Sequence, residues 1–332
     1  MIEVERQLRQ KIAERGGFVN AHAHFDRAYT LPEHSMASGA QPLKSKWRFI
    51  NGVKQASTVA DYEARIRRAI TDVRQSGTTA SMSFIDADDV AGDRALIAAA
   101  KVRDELEDEF PFRLANQVYA GLLSDTGRQW LDRALEFVDI VGGMPEKDAP
   151  HNDRHLDVLM TMAKHHGKLV HVHVDQLNDA RETETELVAK KTIEHGLEGR
   201  VWAVHSLSLA AHSEDYRKQV YQLLKDAGLG IIVCPTAYLD VRRSETLQPF
   251  HLPIAPIEEL IAFGIPVALG TDNISDTYKP LATGDMWLEL RFAIELGRMY
   301  DVDQSTLVDL ATTNGRTALG LPGWSSSTGR RT

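Results

Sequence analysis

Phe18-Val19-Asn20-Ala21-His22-Ala23-His24-Phe25-Asp26 is a short apolar run ending in two histidines separated by one residue. Side chains two apart in extended backbone share a side, so His22 and His24 can both direct imidazole nitrogens at one metal ion. A lone His-x-His pair is also what chance or a solvated strand end supplies. Its weight comes from three further residues. His173 lies in Lys168-Leu169-Val170-His171-Val172-His173-Val174, His205 closes Val201-Trp202-Ala203-Val204, and Asp272 follows Ile265-Pro266-Val267-Ala268-Leu269-Gly270-Thr271. Each candidate ligand stands at the end of its own apolar run. Imidazole and carboxylate donors suit a borderline divalent cation such as zinc, and imidazole also suits iron.

Working outward, strand-like and helix-like segments alternate. Phe18–Ala21 is followed by an irregular stretch to about residue 57, then by Tyr62, Ile66, Ile70 and Val73 at helical spacing up to Gly77. Further strands are expected at 78–85, 112–119, 137–141, 169–174, 201–205, 229–234 and 265–269, with helices at about 93–107, 130–136, 156–163, 182–195 and 216–224. A longer excursion spans Pro235 to Pro256. Eight strands joined by helices or long crossovers match a parallel (β/α)8 TIM-type barrel. A doubly wound open sheet competes, but it gathers ligands at one crevice, whereas strands one, five, six and eight meet around one mouth only if the sheet closes. Active sites of such barrels lie at the C-terminal strand ends, where all five candidates fall.

Composition narrows the partners. With 43% hydrophobic and 26% charged residues over 332 positions, the chain reads as an ordinary globular protein. A formal charge of -9 with only short basic clusters argues against nucleic acid, and no run reaches transmembrane length. Cys234, the only cysteine, excludes an intrachain disulfide and reads as a small buried strand residue. The N-terminus lacks a signal-peptide core, so a cytoplasmic location is expected.

The ordered set His22-Ala23-His24-Phe25-Asp26, His173-Val174-Asp175, Val204-His205-Ser206, Gly270-Thr271-Asp272-Asn273 and Asn314-Gly315-Arg316-Thr317-Ala318-Leu319-Gly320-Leu321 resembles the amidohydrolase superfamily. Asp276-Thr277-Tyr278-Lys279-Pro280-Leu281 with Gly284-Asp285-Met286 resembles its cytosine deaminase-like branch. The resemblance implies that His22, His24, His173 and Asp272 hold one divalent metal ion, zinc or iron, with His205 beside it. It also implies metal-activated water attacking an sp2 carbon, often in a nitrogen heterocycle, with loss of ammonia, an amine or a ring nitrogen.

Two departures bear on substrate. Cytosine deaminases carry an acidic residue three positions after the fifth-strand histidine, where this chain has Gln176, and glutamine cannot shuttle a proton at neutral pH. The glutamine they present after the third strand has no evident counterpart in Gln117-Val118-Tyr119-Ala120-Gly121-Leu122. A third departure is architectural, since with 21 residues before His22 and few after Leu321 the small β-sandwich of most relatives is expected to be missing. The expected organisation is one barrel over residues 1–321, with 1–15 as an N-terminal extension and 322–332 as a flexible tail.

The roles expected of individual residues follow. Asp272 would act as general base and then general acid, its bland alternative being a helix N-cap. His205 would hydrogen-bond the substrate oxygen, or be a satisfied core histidine. His171 would lie in a lower layer or support the ligands. Gln176, Arg27 and Glu146 are candidate substrate contacts, with an exposed loop position the alternative for Gln176 and a structural salt bridge for Arg27. Trp47 and Phe49, with Lys44, Lys46 and Arg48, would form a lid or cover the barrel or a subunit contact. The expected activity is hydrolysis of a C–N bond in a small nitrogen heterocycle or cyclic amide, by deamination or ring opening. The alternative of another class is a metal-containing barrel that binds a ligand without turnover. A homo-oligomer is the expected assembly, with a small molecule as the other partner.

Overall fold

The structure, a computed structural model, describes residues 2–31, 36–41, 43–239 and 252–324, without the side chains of residues 43, 44 and 47. The tail expected to be flexible therefore lies largely outside the described residues, as do the side chains of Lys44 and Trp47.

Eight parallel strands follow one another around a single sheet: β1 (Phe18–Asn20), β2 (Thr78–Asp86), β3 (Phe112–Gln117), β4 (Ile140–Gly143), β5 (Leu169–Val174), β6 (Val201–His205), β7 (Gly230–Val233) and β8 (Val267–Leu269). Closure comes from backbone hydrogen bonds between the first and last strands. The Ala21 amide donates to the Leu269 carbonyl (2.9 Å) and the Thr271 amide to the His22 carbonyl (3.0 Å), with Ala23 and Asp272 bridged in parallel. The molecule is a (β/α)8 barrel, and among the described residues every strand belongs to this sheet.

The helices are α1 (Glu3–Glu14), α2 (Leu43–Ala56), α3 (Val59–Gln75), α4 (Arg94–Glu105), α5 (Asp125–Leu135), α6 (Asn152–His166), α7 (Glu184–His195), α8 (Glu214–Asp226), α9 (Ile257–Ala262), α10 (Met286–Leu296), α11 (Gln304–Ala311) and α12 (Thr313–Ala318). Among the described residues no helix is long and apolar enough to cross a membrane. Local chemistry accounts for several boundaries: Thr58 and Asp61 form a reciprocal cap on α3, Ser124 caps α5, Ser213 caps α8, and Gly167 closes α6 in the left-handed conformation.

Two apolar layers result. One lies between sheet and helices, with Ile66, Leu96, Leu159, Leu224 and Leu290 fully buried. The other fills the barrel with Met82, Phe84, Trp202, Val204 and Ile232, together with Ala318 and Leu319 from the end of α12. α12 shuts the bottom. Asn314 Nδ2 donates to the Val267 carbonyl at the start of β8, and Gly315 sits so close to Val19 that an added Cβ would stand 2.9 Å from its side chain. The interior is thus plugged at one end, leaving function to the other.

Three local expectations change. The stretch read as irregular up to residue 57 contains α2, whose buried face pairs Ile50 with Lys54. A lysine in the apolar stripe hides the helical period. β4 starts at Ile140 rather than Phe137, because the Phe137 and Val138 amides still donate to the Ala134 carbonyl at the end of α5. The N-terminal segment is a docked helix. Leu8 and Ile12 are buried, Lys11 Nζ reaches Gln304 Oε1 (2.7 Å), and Arg15 pairs with Asp309 (3.2 Å) on the α11 side of the barrel.

Candidate metal centre and active site

The five candidate ligands converge at the open end. Adjacent strands β5 and β6 run level there, with His173 opposite Val204 and Val174 opposite His205. The ring centroids of His22 lie 5.0 Å from His24, 4.9 Å from His173 and 5.3 Å from His205. Ligand atoms of His22, His24 and His173 all lie within 4.8 Å of one another, and so do those of His22, His205 and Asp272. Asp272 Oδ1 stands 3.3 Å from His22 Nε2 and 3.2 Å from His24 Nε2. Phe84 from β2 packs beneath, 4.4 Å from the His173 ring and 5.1 Å from that of His22. The backbone turns sharply off these strands: Asp175, His205 and Asp272 have φ of 53°, 79° and 59°. Non-glycine residues in this left-handed region carry strain, which concentrates at functional sites.

The donor set fits a divalent cation. Both ring nitrogens of His22 and of His173 are buried without a hydrogen-bond partner, and so is His205 Nδ1. Buried polar atoms are ordinarily satisfied, so two facing rings without partners, each offering one lone pair when neutral, fit a cation that accepts it. Protonation states agree. Burial pushes His205 down to about 3 and holds His24 and His173 well below the ordinary histidine value, with the Arg27 charge assisting at His24. Burial works to raise the Asp272 carboxyl, but contacts from His22 and His24 prevail and keep it well below the usual carboxylate range. Neutral imidazoles and an ionised carboxylate are the forms that bind metal.

Arg27 lies against His24 Nδ1, and its guanidinium also donates to Gln117 Oε1 (3.1 Å) and to the Tyr119 hydroxyl. A guanidinium only donates, so His24 Nδ1 accepts from Arg27 in this arrangement. Arg27 is 4% exposed and makes no ion pair with a carboxylate among the described residues. Gln117, in which the sequence offers no evident ligand contact, is buried at the end of β3 beside Arg27. The available signal was its position, since β3 ends there.

Gln176 lies beyond β5, its Oε1 accepting from the Tyr238 hydroxyl (2.7 Å), and the Tyr238 ring meets the His205 ring edge-on at 4.9 Å. Tyr238 sits in the turn after β7, whose Thr236 donates its amide (3.0 Å) and hydroxyl (2.6 Å) to the two carboxylate oxygens of buried Glu289 on α10. Sequence reading passes over both Tyr238 and Glu289. Glu146 stands exposed in the short turn Pro145–Asp148 after β4. His171 is buried one layer down, its Nε2 on the Ala318 carbonyl at 2.9 Å. Asp175 caps α7 by accepting from the Glu184 and Thr185 amides (2.8 and 3.1 Å). Asp272 caps no helix, since α10 begins at Met286 with Asp285 as its cap. Cys234 is buried with its thiol pushed well up by desolvation, the state of an unreactive thiol.

The family model described as the amidohydrolase family matches residues 16–324. An uncharacterized protein of Haemophilus influenzae is 42% identical over 258 residues, covering 76% of this chain and 94% of that protein. The N-isopropylammelide isopropyl amidohydrolase of Pseudomonas sp. strain ADP is 25% identical over 86% of this chain and 70% of its own length. Among solved structures, the 5-methylcytosine deaminase of Klebsiella pneumoniae liganded with phosphonocytosine superposes with a TM-score of 0.84 at 27% identity, over 92% of this chain and 75% of that one. With a barrel closed through its first and last strands and a histidine and aspartate cluster at its mouth, the chain belongs to the amidohydrolase family, whose members use a divalent metal to hydrolyse C–N bonds other than peptide bonds.

Proposed function

We propose that the chain is a deaminase of small nitrogen heterocycles, with His22, His24, His173 and Asp272 holding one zinc ion. The observation that carries this reading is the convergence of three imidazoles and one carboxylate held in its ionised form, with His205 beside them. Similarity to a 5-methylcytosine deaminase and an N-isopropylammelide amidohydrolase supports the heterocyclic class. A donor set of imidazoles and a carboxylate favours zinc. Bound there, zinc would lower the pKa of a water toward neutrality and polarise the carbon under attack.

The protein's own residues do the rest. Among the described residues Asp272 pairs with His22 and His24, and its carboxylate takes the proton of the attacking water and returns it to the leaving nitrogen. His205, neutral at physiological pH, donates a hydrogen bond to the oxygen that develops on the attacked carbon. Phe84 closes the floor and excludes water. Gln176 touches the substrate ring through its amide. Glu146, exposed at the mouth, contacts substrate from the β4 side. Arg27 spends donors on His24, Gln117 and Tyr119, so it steadies the β1 wall and places its positive charge near an electron-rich substituent.

Ring opening of a cyclic amide is the second reading, favoured by Gln176, because a leaving group that Asp272 alone can protonate needs no second acid. The test is to load purified protein with zinc and offer pyrimidines, triazines, hydantoins and lactams, recording ammonia release and ring opening separately. Ammonia or amine release without a linear acid supports deamination. A linear acid that retains the nitrogen supports ring opening. Binding without either product favours the ligand-binding barrel.

A further inference from the structure

Among the described residues Tyr238 makes one side-chain hydrogen bond, to Gln176 Oε1 at 2.7 Å, and its ring rests edge-on against His205. Its place is fixed from behind. Buried Glu289 takes both donors of Thr236, one on each carboxylate oxygen, and the Ala237 amide closes the turn on the Cys234 carbonyl (3.0 Å). The phenol is therefore presented by a braced turn.

A glutamine amide has one acceptor oxygen and an NH2 carrying two donors, and which end faces a ligand depends on what holds the other. Among the described residues the Tyr238 hydroxyl has no acceptor besides Gln176 Oε1. Turning the amide over would leave the phenolic hydrogen without a protein partner, a cost that falls on the flipped state alone. The orientation is thus biased, with the oxygen occupied and the NH2 remaining.

We propose that Tyr238 is a specificity-determining residue: it fixes Gln176 as a hydrogen-bond donor, so the enzyme selects heterocycles carrying a carbonyl oxygen, rather than an amino group, on the side facing the β5 loop. The proposal rests on the reading of the barrel mouth as a heterocycle site, and it adds which edge chemistry is accepted. A site that offers a fixed donor discriminates strongly, because a substrate donor placed there leaves two hydrogens opposed and two groups unsatisfied.

The test measures binding, so it is independent of whether a C–N bond is cleaved. The zinc-loaded protein is titrated calorimetrically with cyanuric acid, which has a carbonyl at every carbon, and with melamine, which has an amino group at every carbon. Wild type is expected to prefer cyanuric acid by at least about tenfold. Tyr238→Phe should bring the two affinities to within about threefold, and Gln176→Leu should do the same. In the double variant, adding Tyr238→Phe to Gln176→Leu should change nothing further, as for two residues acting through one group. Preference for melamine by wild type, no binding of either ring, an unchanged ratio in folded Tyr238→Phe, or a persisting Tyr238→Phe effect in the Gln176→Leu background overturns the proposal. Loss of turnover in the product screen with the binding preference intact instead counts against the hydrolase reading alone.

Discussion

Asp272 Oδ1 stands 3.2 Å from His24 Nε2, a contact between a residue beyond the last strand and one beyond the first. Barrel closure makes it, since the Asp272 amide donates to the His22 carbonyl and the His24 amide to the Asp272 carbonyl (3.0 and 3.3 Å). The carboxylate is held by the strand ends themselves. Replacing it by an amide preserves shape but removes the group proposed to carry the proton. Asp272→Asn, assayed with saturating zinc, is therefore expected to lower kcat/KM by about a thousandfold or more, with near wild-type circular dichroism. An activity loss below tenfold would assign the proton transfer elsewhere.

Much of this frame is legible in the sequence, because each ligand closes an apolar run and such runs can only be barrel strands if their ends are to meet. His22, His24, His173, His205 and Asp272 all fall where that logic puts them. What escapes it depends on contacts remote in sequence. Tyr238 becomes part of the site only because Glu289, a carboxylate inside an apolar helix face, holds the turn before it. Lys54 hides α2 in the same way. A charged residue on a buried face looks like a break in the pattern until its partner, on another element, is known. Gln117 escapes for a third reason: its neighbour Arg27 belongs to β1's loop, and nothing local signals their contact.

Metal removal gives a second expectation. Elemental analysis of purified protein should find about one divalent ion per chain, as in single-site hydrolases of this donor type. Chelation should abolish activity and lower the melting temperature, because a cation that binds only the folded state stabilises it by mass action. Restoring zinc should raise the melting temperature in proportion to the logarithm of its free concentration. His173→Ala should weaken that dependence, since it removes a ring whose two nitrogens have no other partner.

Lys54 anchors the long first loop. Its ammonium lies 2.9 Å from Asp86 and 2.5 Å from Asp88 with 3% of the side chain exposed, joining α2 to the end of β2. Burial opposes the charge, but the two carboxylates outweigh it and raise the lysine pKa. Lys54→Met leaves both carboxylates in a buried place without their cation. Breaking a buried ion pair from one side costs about 3–5 kcal/mol, and urea unfolding should report a loss of that order. The double replacement Lys54→Met with Asp88→Asn should recover part of it. Equal stability of wild type and Lys54→Met would mean that the pair contributes nothing to docking α2.

Glu289 supplies a pH dependence with a definite sign. Desolvation pushes its carboxyl up to about 8 against the donors of Thr236, with the charges of Asp272 and Asp285 adding to the rise. The unfolded value lies near 4.5, so the folded state binds this proton more tightly than the unfolded chain does. Its stabilising contribution is complete below about 4.5, declines as pH rises, and is gone once pH has passed through about 8. Glu289→Gln cannot ionise and lacks that decline. Denaturant unfolding of both proteins at pH 5, 7 and 9 should therefore show the glutamine variant gaining on wild type at each step upward. A difference that stays constant across the range would mean that Glu289 titrates at an ordinary value, and its clamp on the Thr236 turn would then be that of a plain carboxylate.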